Sequence, residues 1–323
     1  MVDWYGVDSL DEAVLVREHC QNDILILGYV SPDDATEVVR GKFSTLVYTH
    51  ELAEALSRSA TPENPAKIHI KVDTGLVRLG LWPDEAIDFA KKASTLPNTI
   101  IEGLYTHYAK VSDDQGNKTY LEQLEKFKSV ADSLAEAGIH PRVVHTASSF
   151  ATVLHEDTHG TMVRIGIVLY GLWGREASSE FVTQHHREFK LTPAITWKTT
   201  VINVKKIPSN TGVGYGHSTV VLRDTIVAVL GAGYYDGIDK RYGKIGHVLI
   251  NGKRAKVLGG IAMNMCMVDV TDIERVRIGD PAILIGRSGD EEITAYEFAA
   301  AINTSTYELI SRINPSLQRR IVS

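Results

Sequence analysis

Polar residues lie where several apolar, strand-like runs end, and their types suit the binding of a charged ligand. They fall in residues 71–78 (with Lys71, Asp73 and Arg78), at His107, and in residues 145–149 and 164–167. In a parallel barrel the strand interiors are expected to be apolar and the functional residues to gather at the carboxyl ends. Loops after the last two strands commonly hold phosphate. If the first unit of the barrel is missing from this sequence, residues 145–149 and 164–167 follow strand seven and lie on strand eight, and the pattern predicts a phosphate-bearing ligand near Ser149 and the amides of Gly166 and Ile167.

Each of these residues also has an ordinary structural explanation when it is taken alone. The alternatives are ion pairing for Arg78 and Arg164, burial in the core for His107, helix capping for Ser149, and aromatic packing for Tyr234 and Tyr307. Their common placement at one predicted end of a barrel favours a functional role.

The elements that must position these residues alternate up to about residue 185. Short apolar runs alternate with amphipathic stretches, which is typical of βα units around a parallel sheet. We predict seven strands, at residues 6–8, 24–28, 46–48, 68–73, 101–107, 143–145 and 162–169. A closed barrel needs about eight such units. An open doubly wound sheet would also accept seven, so the count alone leaves both architectures open.

Beyond about residue 191, strands follow one another with turns between them. They are predicted at residues 195–207, 225–230, 247–250, 255–258, 267–270 and 282–285, with a final helical stretch over 295–313. Asn251-Gly252 is a strong hairpin signal. We therefore predict an α/β barrel domain over residues 1–188 and a mostly β C-terminal domain over residues 189–323.

Composition excludes several classes of protein. Apolar residues make up 44% and charged residues 23% of the 323, as in a globular enzyme. A formal net charge of -6 argues against a nucleic-acid partner. The apolar runs are too short to cross a bilayer, and the two cysteines, Cys20 and Cys266, indicate a reducing compartment. We expect a cytoplasmic protein with a small-molecule ligand, no membrane role and no metal site.

Seven segments, in order, resemble the motifs of the alanine racemase family, and the similarity runs from Tyr5 to the carboxyl terminus. They are residues 71–80 (KVDTGLVRLG), 106–107 (TH), 145–149 (HTASS), 164–171 (RIGIVLYG), 233–237 (GYYDG), 263–264 (MN) and 306–308 (TYE). The resemblance implies a (β/α)8-type TIM barrel that binds pyridoxal 5'-phosphate, followed by a β-domain. It implies an isomerase that interconverts L-alanine and D-alanine and supplies D-alanine for peptidoglycan. A broader amino-acid racemase, for serine among others, is the alternative.

The resemblance also implies how the cofactor is held. Ser149, Gly166, Ile167 and Tyr307 are expected to bind its phosphate. Arg164 is expected to face the pyridine nitrogen and keep it unprotonated, which weakens the ring as an electron sink and favours return of the proton over side reactions.

Substrate-binding and catalytic roles follow from the same resemblance. Arg78 is expected to hold the substrate carboxylate or the cofactor hydroxyl, and the lysine matching Lys71 is often carbamylated in the family and orients that arginine. Tyr234 is the expected proton acceptor for L-alanine. Because a phenol has a pKa of about 10, it needs help near neutral pH, which His107, coupled to Arg164, is expected to provide.

The family assembles as a homodimer in which the tyrosine and methionine matching Tyr234 and Met263 complete the partner's site. We expect the same here. Two small departures are Ser148, where the family usually has Asn, and Asn264, where it commonly has Asp. Both residues keep their hydrogen-bonding ability, so we expect Asn264 to support the site.

A larger departure concerns the Schiff-base lysine, which the family has on its first barrel strand, in a motif near Lys-Ala-Asn-Ala-Tyr-Gly-His. Residues 1–323 contain no such motif. The expectation is that the first βα unit is missing from this sequence, that Met1 is an internal methionine of a longer chain, and that the chain as written does not racemise. The other lysines considered, Lys71 and Lys240, have simpler explanations in orienting Arg78 and in a charged turn.

Two other hypotheses belong to different classes. Related amino-acid decarboxylases share the order of barrel and β-domain, but their cysteine-bearing C-terminal motif and Glu-Pro-Gly phosphate loop are not found here. A lysine-less barrel that only binds a phosphorylated ligand or a partner is the non-enzymatic alternative. Absorbance after addition of pyridoxal phosphate would separate these hypotheses.

Overall fold

The computed structural model describes residues 2–111, 114–185 and 189–322, and the chain divides into two compact units. The first extends to Gly166 and also includes Gln184 and His185. The second comprises Ile167–Thr183 and the described residues from 189 onward. The first unit is built on a parallel sheet and the second on an antiparallel sheet, which confirms the predicted fold class.

Six parallel strands follow one another in sequence order across the sheet of the first unit. They are β1 (Trp4–Val7), β2 (Asp23–Ile26), β3 (Ser44–Val47), β4 (Ala66–Lys71), β5 (Thr99–Tyr105) and β6 (Val143–His145). The helices of this unit are α1 (Leu10–Arg17), α2 (Ala35–Arg40), α3 (His50–Ser59), α4 (Pro83–Ser94), α5 (Asp114–Glu136) and α6 (Ser149–Leu154).

Helix starts follow the local sequence. The Ser9 hydroxyl accepts the N–H of Glu12 at the start of α1, and the Glu12 carboxylate accepts the N–H of Asp8. Thr49 caps α3 in the same way. Each cap satisfies amides that have no partner within the helix, so these short polar signals set where helices begin.

Successive side chains along each strand point to opposite faces of the parallel sheet. On β4 and just after it, Ile68, Ile70 and Val72 are buried in the core shared with the helices, so His69 and Lys71 point to the opposite face. Trp4 of β1 contacts the His69 ring edge to face, with centroids 5.7 Å apart. Because β1 and β4 are separated by two strands, this contact requires the sheet to curl as in a barrel.

The predicted seventh strand, residues 162–169, is wrong. Thr161 and Met162 both donate to the carbonyl of Val144, and Arg164 donates to that of Ala147. Two donors converging on one carbonyl do not form a regular ladder, so this segment runs beside β6 without joining the sheet. A short 3-10 helix, Ile167–Tyr170, then occupies the apolar run that resembles a strand in sequence.

The second unit contains a seven-stranded antiparallel sheet in the order β11-β12-β13-β10-β7-β14-β15, and the pairing of β11 with β14 closes six strands into a ring. Its strands, with the separate β8–β9 pair, are β7 (Trp197–Ile207), β8 (Gly212–Val213), β9 (Thr219–Val220), β10 (Thr225–Leu230), β11 (His247–Ile250), β12 (Lys253–Leu258), β13 (Cys266–Asp269), β14 (Pro281–Ser288) and β15 (Glu291–Ile293). The remaining helices are α7 (Glu176–His185), α8 (Ala295–Ala301) and α9 (Thr306–Ser311).

Two local predictions for this region are confirmed. Asn251 and Gly252 have positive φ values of 49° and 76° between β11 and β12, which confirms the hairpin. The helical stretch predicted over residues 295–313 is present as two helices, α8 and α9, because the chain turns at Asn303 (φ 53°) and Ser305 caps the second helix. In the part of the chain that the structure describes, no helix has the length and apolar character needed to span a membrane.

Candidate active site

Arg164 is the centre of the polar cluster in the first unit. Its Nη1 donates to Nδ1 and to the backbone carbonyl of His145, both at 3.0 Å. Its Nη2 donates to the carbonyls of Thr106 (2.9 Å) and Thr146 (3.0 Å) and lies 3.4 Å from Nδ1 of His107. Burial lowers the pKa of this guanidinium to about 10, so it remains a cation at neutral pH. The ends of β5 and β6 therefore hold one charge in a fixed orientation.

Tyr105, at the end of β5, lies under this cation. Its ring stacks on His145 at 4.5 Å, and Arg164 Cζ and Lys71 Nζ each lie 5.5 Å from the ring centroid. The Tyr105 hydroxyl is buried and, among the described residues, has no hydrogen-bond partner. Burial raises the pKa of Tyr105. Burial of a hydroxyl without a hydrogen-bond partner costs free energy. A ligand atom that bonds to the Tyr105 hydroxyl would remove that cost.

Lys71 ends β4 with its side chain almost entirely buried. Burial, together with the charges of Arg78 and Arg164, lowers the pKa of Lys71 to about 8. The mouth of the sheet therefore combines three cationic side chains, and an anionic ligand would relieve their repulsion.

Asp73 is an anion beside this cluster and offsets part of its charge at Lys71, and its carboxylate also organises the next loop. It accepts the backbone N–H groups of Gly75 (2.9 Å), Val77 (3.0 Å) and Arg78 (2.9 Å). Gly75 and Val77 have positive φ values, which bend the loop around the carboxylate. Arg78 is thereby presented by a loop whose shape depends on one acid.

His107 follows β5 and is partly buried. Because a guanidinium can only donate, Nδ1 of His107 accepts from Arg164 and the ring proton lies on Nε2. Burial and the charges of Arg164, Arg78 and Lys71 lower the pKa of His107 to about 4. This histidine is neutral at pH 7 and offers one N–H donor.

Ser149 is the first residue of α6, and its Oγ accepts the N–H of Gly166 at 2.9 Å. The helix cap itself is Ser148, so the structure does not support capping as the role of Ser149. The hydroxyl hydrogen of Ser149 is still available to an acceptor. Gly166 leads directly into Ile167, the first residue of a 3-10 helix.

Tyr234, Met263 and Asn264 lie in the second unit, on two loops joined by backbone bonds. Tyr234 N–H donates to the carbonyl of Ala262, and Tyr235 N–H donates to that of Met263, both at 2.9 Å. Tyr234 and Met263 are 39% and 53% exposed, and Asn264 is also exposed. These side chains are therefore presented at the surface rather than used in the core.

A cavity of about 380 Å³ lies beside Tyr234. Its lining residues are Tyr234, Gly237, Ile238, Asp239, Lys240 and Arg312. Lys240 Nζ lies 4.6 Å from the centroid of the Tyr234 ring, so a cation covers one face of the phenol.

Tyr307, the second residue of α9, packs its ring against Gly174. A Cβ atom at position 174 would lie 2.4 Å from Tyr307 Cε2, so glycine is needed there for the ring to occupy its place. Thr306 N–H donates to the carbonyl of Gly174, which joins the start of α9 to the same segment. The Tyr307 ring is therefore placed by backbone contacts within the second unit.

The structure thus groups the predicted residues into two sets. Lys71, His107 and Arg164 form one cluster in the first unit, with Arg78 on the loop that Asp73 organises. Ser149 and Gly166 are hydrogen-bonded to each other in that unit, whereas Ile167 begins the second. The remaining predicted residues, Tyr234, Met263, Asn264 and Tyr307, lie in the second unit.

Sequence reasoning missed three buried side chains of the first unit as functional candidates, namely Tyr105, His69 and Glu102. The run Ile68-His69-Ile70-Lys71-Val72-Asp73 contains a signal, because a polar residue at every second position of a buried strand marks a polar inner face. The expectation that strand interiors would be apolar is wrong here.

Two family descriptions match most of the chain. "Alanine racemase, N-terminal domain" matches residues 1–173, and "Alanine racemase, C-terminal domain" matches residues 194–321. The chain is 38% identical to the alanine racemase of Symbiobacterium thermophilum over 98% of its own length and 82% of the relative's. It is also 38% identical to that of Methanococcus maripaludis, over 92% and 78% of the two lengths.

Solved structures show the same similarity. The alanine racemase from E. faecalis superposes with a TM-score of 0.86 at 31% identity, and the match covers 96% of this chain and 81% of that one. The alanine racemase of Bacillus anthracis with bound L-Ala-P gives a TM-score of 0.86 at 30% identity, covering 96% and 78%.

Proposed function

The chain belongs to the alanine racemase family of isomerases, and from this premise we propose that it binds pyridoxal phosphate and alanine. The observation that supports this most directly is the cationic mouth of the parallel sheet. Arg164 and Lys71 each lie 5.5 Å from the centre of the Tyr105 ring, Arg78 adds a further positive charge, and the buried Tyr105 hydroxyl has no hydrogen-bond partner among the described residues. Alanine and this cofactor together contribute a carboxylate, a phosphate and a ring hydroxyl. The cluster offers donors and positive charge for such groups.

The residues present fit pyridoxal phosphate. The Ser149 hydroxyl, the amides of Gly166 and Ile167, and the Tyr307 hydroxyl supply donors for its phosphate. The cofactor, when bound, withdraws electrons from the α-carbon of the amino acid and so makes the α-proton removable.

Arg164 is proposed to face the pyridine nitrogen. Because a guanidinium donates and does not give up its proton at neutral pH, it leaves that nitrogen unprotonated. Its bonds to three backbone carbonyls fix its plane, so the donor is oriented before a ligand arrives. The consequence is a weaker electron sink, which favours proton exchange at the α-carbon over other outcomes.

Proton movement on one face of the α-carbon is assigned to Tyr234. Its phenolic oxygen would accept the proton from L-alanine, while the Nε2–H of a neutral His107 donates a hydrogen bond to that oxygen and makes its anion easier to form. We propose that Tyr234 comes from the partner subunit of a homodimer, with Met263 beside it and Asn264 in support. The surface exposure of all three residues supports this arrangement.

Arg78 is assigned to the substrate carboxylate or the cofactor hydroxyl. The loop that carries Arg78 cannot adopt another conformation without breaking its hydrogen bonds to the Asp73 carboxylate. The lysine that matches Lys71 is often carbamylated in the family, and carbamylation would convert Lys71 from a cation into an anion that orients Arg78.

The proposed biological role is the supply of D-alanine, in the cytoplasm, for peptidoglycan synthesis.

Two finer points of this proposal concern the extent of the chain. We place the boundary between the barrel domain and the β-domain near residue 188, within the interval that the two family matches leave between residues 173 and 194. We also predict that residues 1–323 alone do not racemise alanine. In the described part of the first unit, Lys71 is the lysine at this cluster, and the proposal uses it to orient Arg78 rather than to bind the cofactor covalently.

Binding of pyridoxal phosphate tests the proposed site without requiring turnover. Absorbance and fluorescence titrations should show binding to the wild-type chain and a loss of about 10- to 150-fold in affinity for Ser149→Ala, since one hydrogen bond to a charged group contributes about 1.5–3 kcal/mol. Pyridoxal, which lacks the phosphate, is the matched ligand, and Ser149→Ala should leave its affinity unchanged. Equal effects on both ligands, or no binding by the wild type, would reject the site.

Racemisation assays address the alternatives. Formation of D-alanine from L-alanine, measured in parallel with formation of D-serine from L-serine, distinguishes an alanine racemase from a racemase of broader specificity. A chain that binds pyridoxal phosphate and racemises neither amino acid agrees with the prediction for residues 1–323.

A further inference from the structure

A line of buried polar side chains crosses the inner face of the parallel sheet, away from the mouth where ligands would bind. We propose that Glu102, acting through His69 and His145, is a remote positioning residue for the guanidinium of Arg164. The tautomers of the two histidines follow from geometry alone, while the consequence for the cofactor rests on the proposed function.

The strand pairing places Glu102 on this inner face. In the β4–β5 ladder, Ile68 pairs with Ile101 and His69 pairs with Gly103, so Glu102 is the extra residue of a β-bulge. Both Glu102 and Gly103 can then face inward. A Cβ at Gly103 would lie 2.2 Å from Nδ1 of His69, so the glycine gives the histidine ring its space.

The hydrogen bonds of this line have one direction. Arg164 can only donate, so Nδ1 of His145 accepts and the proton of that ring lies on Nε2. Nε2 of His145 lies 3.0 Å from Nδ1 of His69, which must therefore accept. The proton of His69 is then on Nε2, which donates to a Glu102 carboxylate oxygen at 3.3 Å. Each link fixes the tautomer of the next.

Glu102 ends the line as an acceptor. Ser44 on β3 donates its hydroxyl to the carboxylate, and Arg142, just before β6, donates to the other oxygen at 2.7 Å. Lys67 on β4 lies 3.8 Å from the same carboxylate, and Asp23 on β2 lies 3.8 Å from both Lys67 and Arg142. The hydrogen bonds from Ser44 and Arg142 therefore favour the ionised form of Glu102, as does the positive charge of Lys67, while Asp23 offsets part of the charge of Lys67 and Arg142.

Burial supports the same protonation states. Burial alone would raise the pKa of Glu102, but hydrogen bonds from His69, Ser44 and Arg142 lower it to about 2. Burial lowers the pKa of His69 and of His145. Both rings are essentially inaccessible to solvent, so neither gains a second proton readily.

A carboxylate cannot donate, and this is what prevents the line from reversing. If His69 carried its proton on Nδ1, it would oppose the Nε2–H of His145. If His145 then carried its proton on Nδ1, that N–H would point at the guanidinium of Arg164 and displace it. An ionised Glu102 thus keeps the acceptor nitrogen of His145 facing Arg164 across two intervening rings.

The direct test is the proton position on each ring in the cofactor-free protein. Nitrogen-15 NMR of protein labelled in the histidine rings should show His69 and His145 neutral, with hydrogen on Nε2, from pH 6 to pH 9. Hydrogen on Nδ1, or on both nitrogens of either ring, would overturn the proposal. This measurement needs no substitution, so it does not depend on whether a variant folds.

Glu102→Gln tests the role of the carboxylate, because a glutamine amide can donate to His69. We expect a second His69 signal with hydrogen on Nδ1 in this variant, while Arg142→Met, which leaves the carboxylate in place, should match the wild type. Unchanged signals in Glu102→Gln would overturn the proposal. Glu102→Asp keeps an acceptor and should restore the wild-type tautomers.

Ligand binding then links this line to the site. If the wild type binds pyridoxal phosphate, Glu102→Gln should weaken binding by about 2- to 30-fold, the range found for residues coupled to a site through intermediates. An unchanged affinity would overturn the positioning role. Failure of the wild type to bind would reject the proposed function instead, while the tautomers would still be measurable.

Discussion

Nη2 of Arg164 lies 3.4 Å from Nδ1 of His107, while Nη1 of the same guanidinium lies 3.0 Å from Nδ1 of His145. One cation therefore faces the acceptor nitrogen of two histidines. Burial disfavours the charged form of both rings, and protonation of either would also bring a second positive charge against the guanidinium, so both rings stay neutral. The pH dependence of folding should report this arrangement.

His107 should make the fold less stable as the pH falls. Its folded pKa is about 4, below the ordinary histidine value of 6.5, so the unfolded chain binds a proton that the folded chain does not. Stability is fully present above about pH 6.5 and declines toward pH 4, by about 3 kcal/mol for this residue. In urea unfolding between pH 4.5 and pH 8, the free energy of unfolding should change less with pH in His107→Asn than in the wild type.

The surface residue His19 is the matched control for this measurement, and His19→Asn should retain the wild-type slope. Asparagine at position 107 can still accept from Arg164 through its side-chain oxygen, which limits other losses. An identical slope in His107→Asn and wild type would contradict the assigned protonation state.

Lys71 should have a destabilising charge at neutral pH. Its folded pKa of about 8 lies below the ordinary 10.5, so wild-type stability should rise between pH 8 and pH 10.5 as the unfolded chain alone keeps the proton. Lys71→Met removes that charge, and urea unfolding at pH 7 should give a gain of up to about 3 kcal/mol. The rise above pH 8 should disappear.

Lys91→Met, at an exposed position of α4, is the control and should change stability by less than about 0.5 kcal/mol. A loss of stability in Lys71→Met would contradict the prediction. Mass spectrometry of the intact protein would then distinguish a carbamylated Lys71, which is an anion beside Arg78, from a free amine.

Most of the parallel sheet could be predicted because its signal is local. Apolar runs bounded by capping residues such as Ser9 and Thr49 define βα units directly. The strand expected at residues 162–169 failed because its apolar pattern says nothing about hydrogen-bond partners, and two donors share the Val144 carbonyl. Likewise, the turn at Asn303, which has a positive φ, divides the predicted helical stretch into two helices at a point that the apolar pattern does not mark.

The candidate residues at the carboxyl ends of the strands could be predicted from the sequence, whereas the buried polar residues on the inner face of the sheet could not. Lys71, His107 and Arg164 end strands or lie beside one, so topology alone brings them together. The link from Arg164 to Glu102 joins residues far apart in sequence and depends on a β-bulge that shifts the register at His69. Such a shift depends on side-chain packing and leaves no periodic trace in the sequence.

Asp73 should be essential for the loop that presents Arg78. Asparagine retains one acceptor oxygen but replaces the other with an amide donor, so Asp73→Asn leaves at least one of the three loop amides without its acceptor. Burial would raise the pKa of Asp73, yet these backbone bonds lower it overall, so its contribution is present above about pH 4 and is lost at lower pH. Urea unfolding at pH 7 should show a loss of about 1–3 kcal/mol.

Asp88→Asn on the exposed face of α4 is the comparison and should stay within about 0.5 kcal/mol of wild type. The two variants remove the same charge, so a difference between them isolates the loop bonds. Equal stabilities would show that Asp73 does not organise the loop.

The proposed dimer predicts where a new charge will break the assembly. Met263 and Tyr235 are more than half exposed in the isolated chain, and a backbone hydrogen bond between them holds their loops together. If this surface completes the partner's site, Met263→Glu must bury a carboxylate without a partner, which should weaken dimerisation by about 2 kcal/mol, or about 30-fold. Sedimentation velocity over a concentration series should find a wild-type dimer and a partly dissociated variant.

Ile278→Glu, at a residue 67% exposed on a different loop, adds the same charge and should leave the dimer intact. A wild type that stays monomeric at all concentrations, or equal dissociation of the two variants, would remove Met263 from the interface and reject the contribution of Tyr234 by a partner subunit.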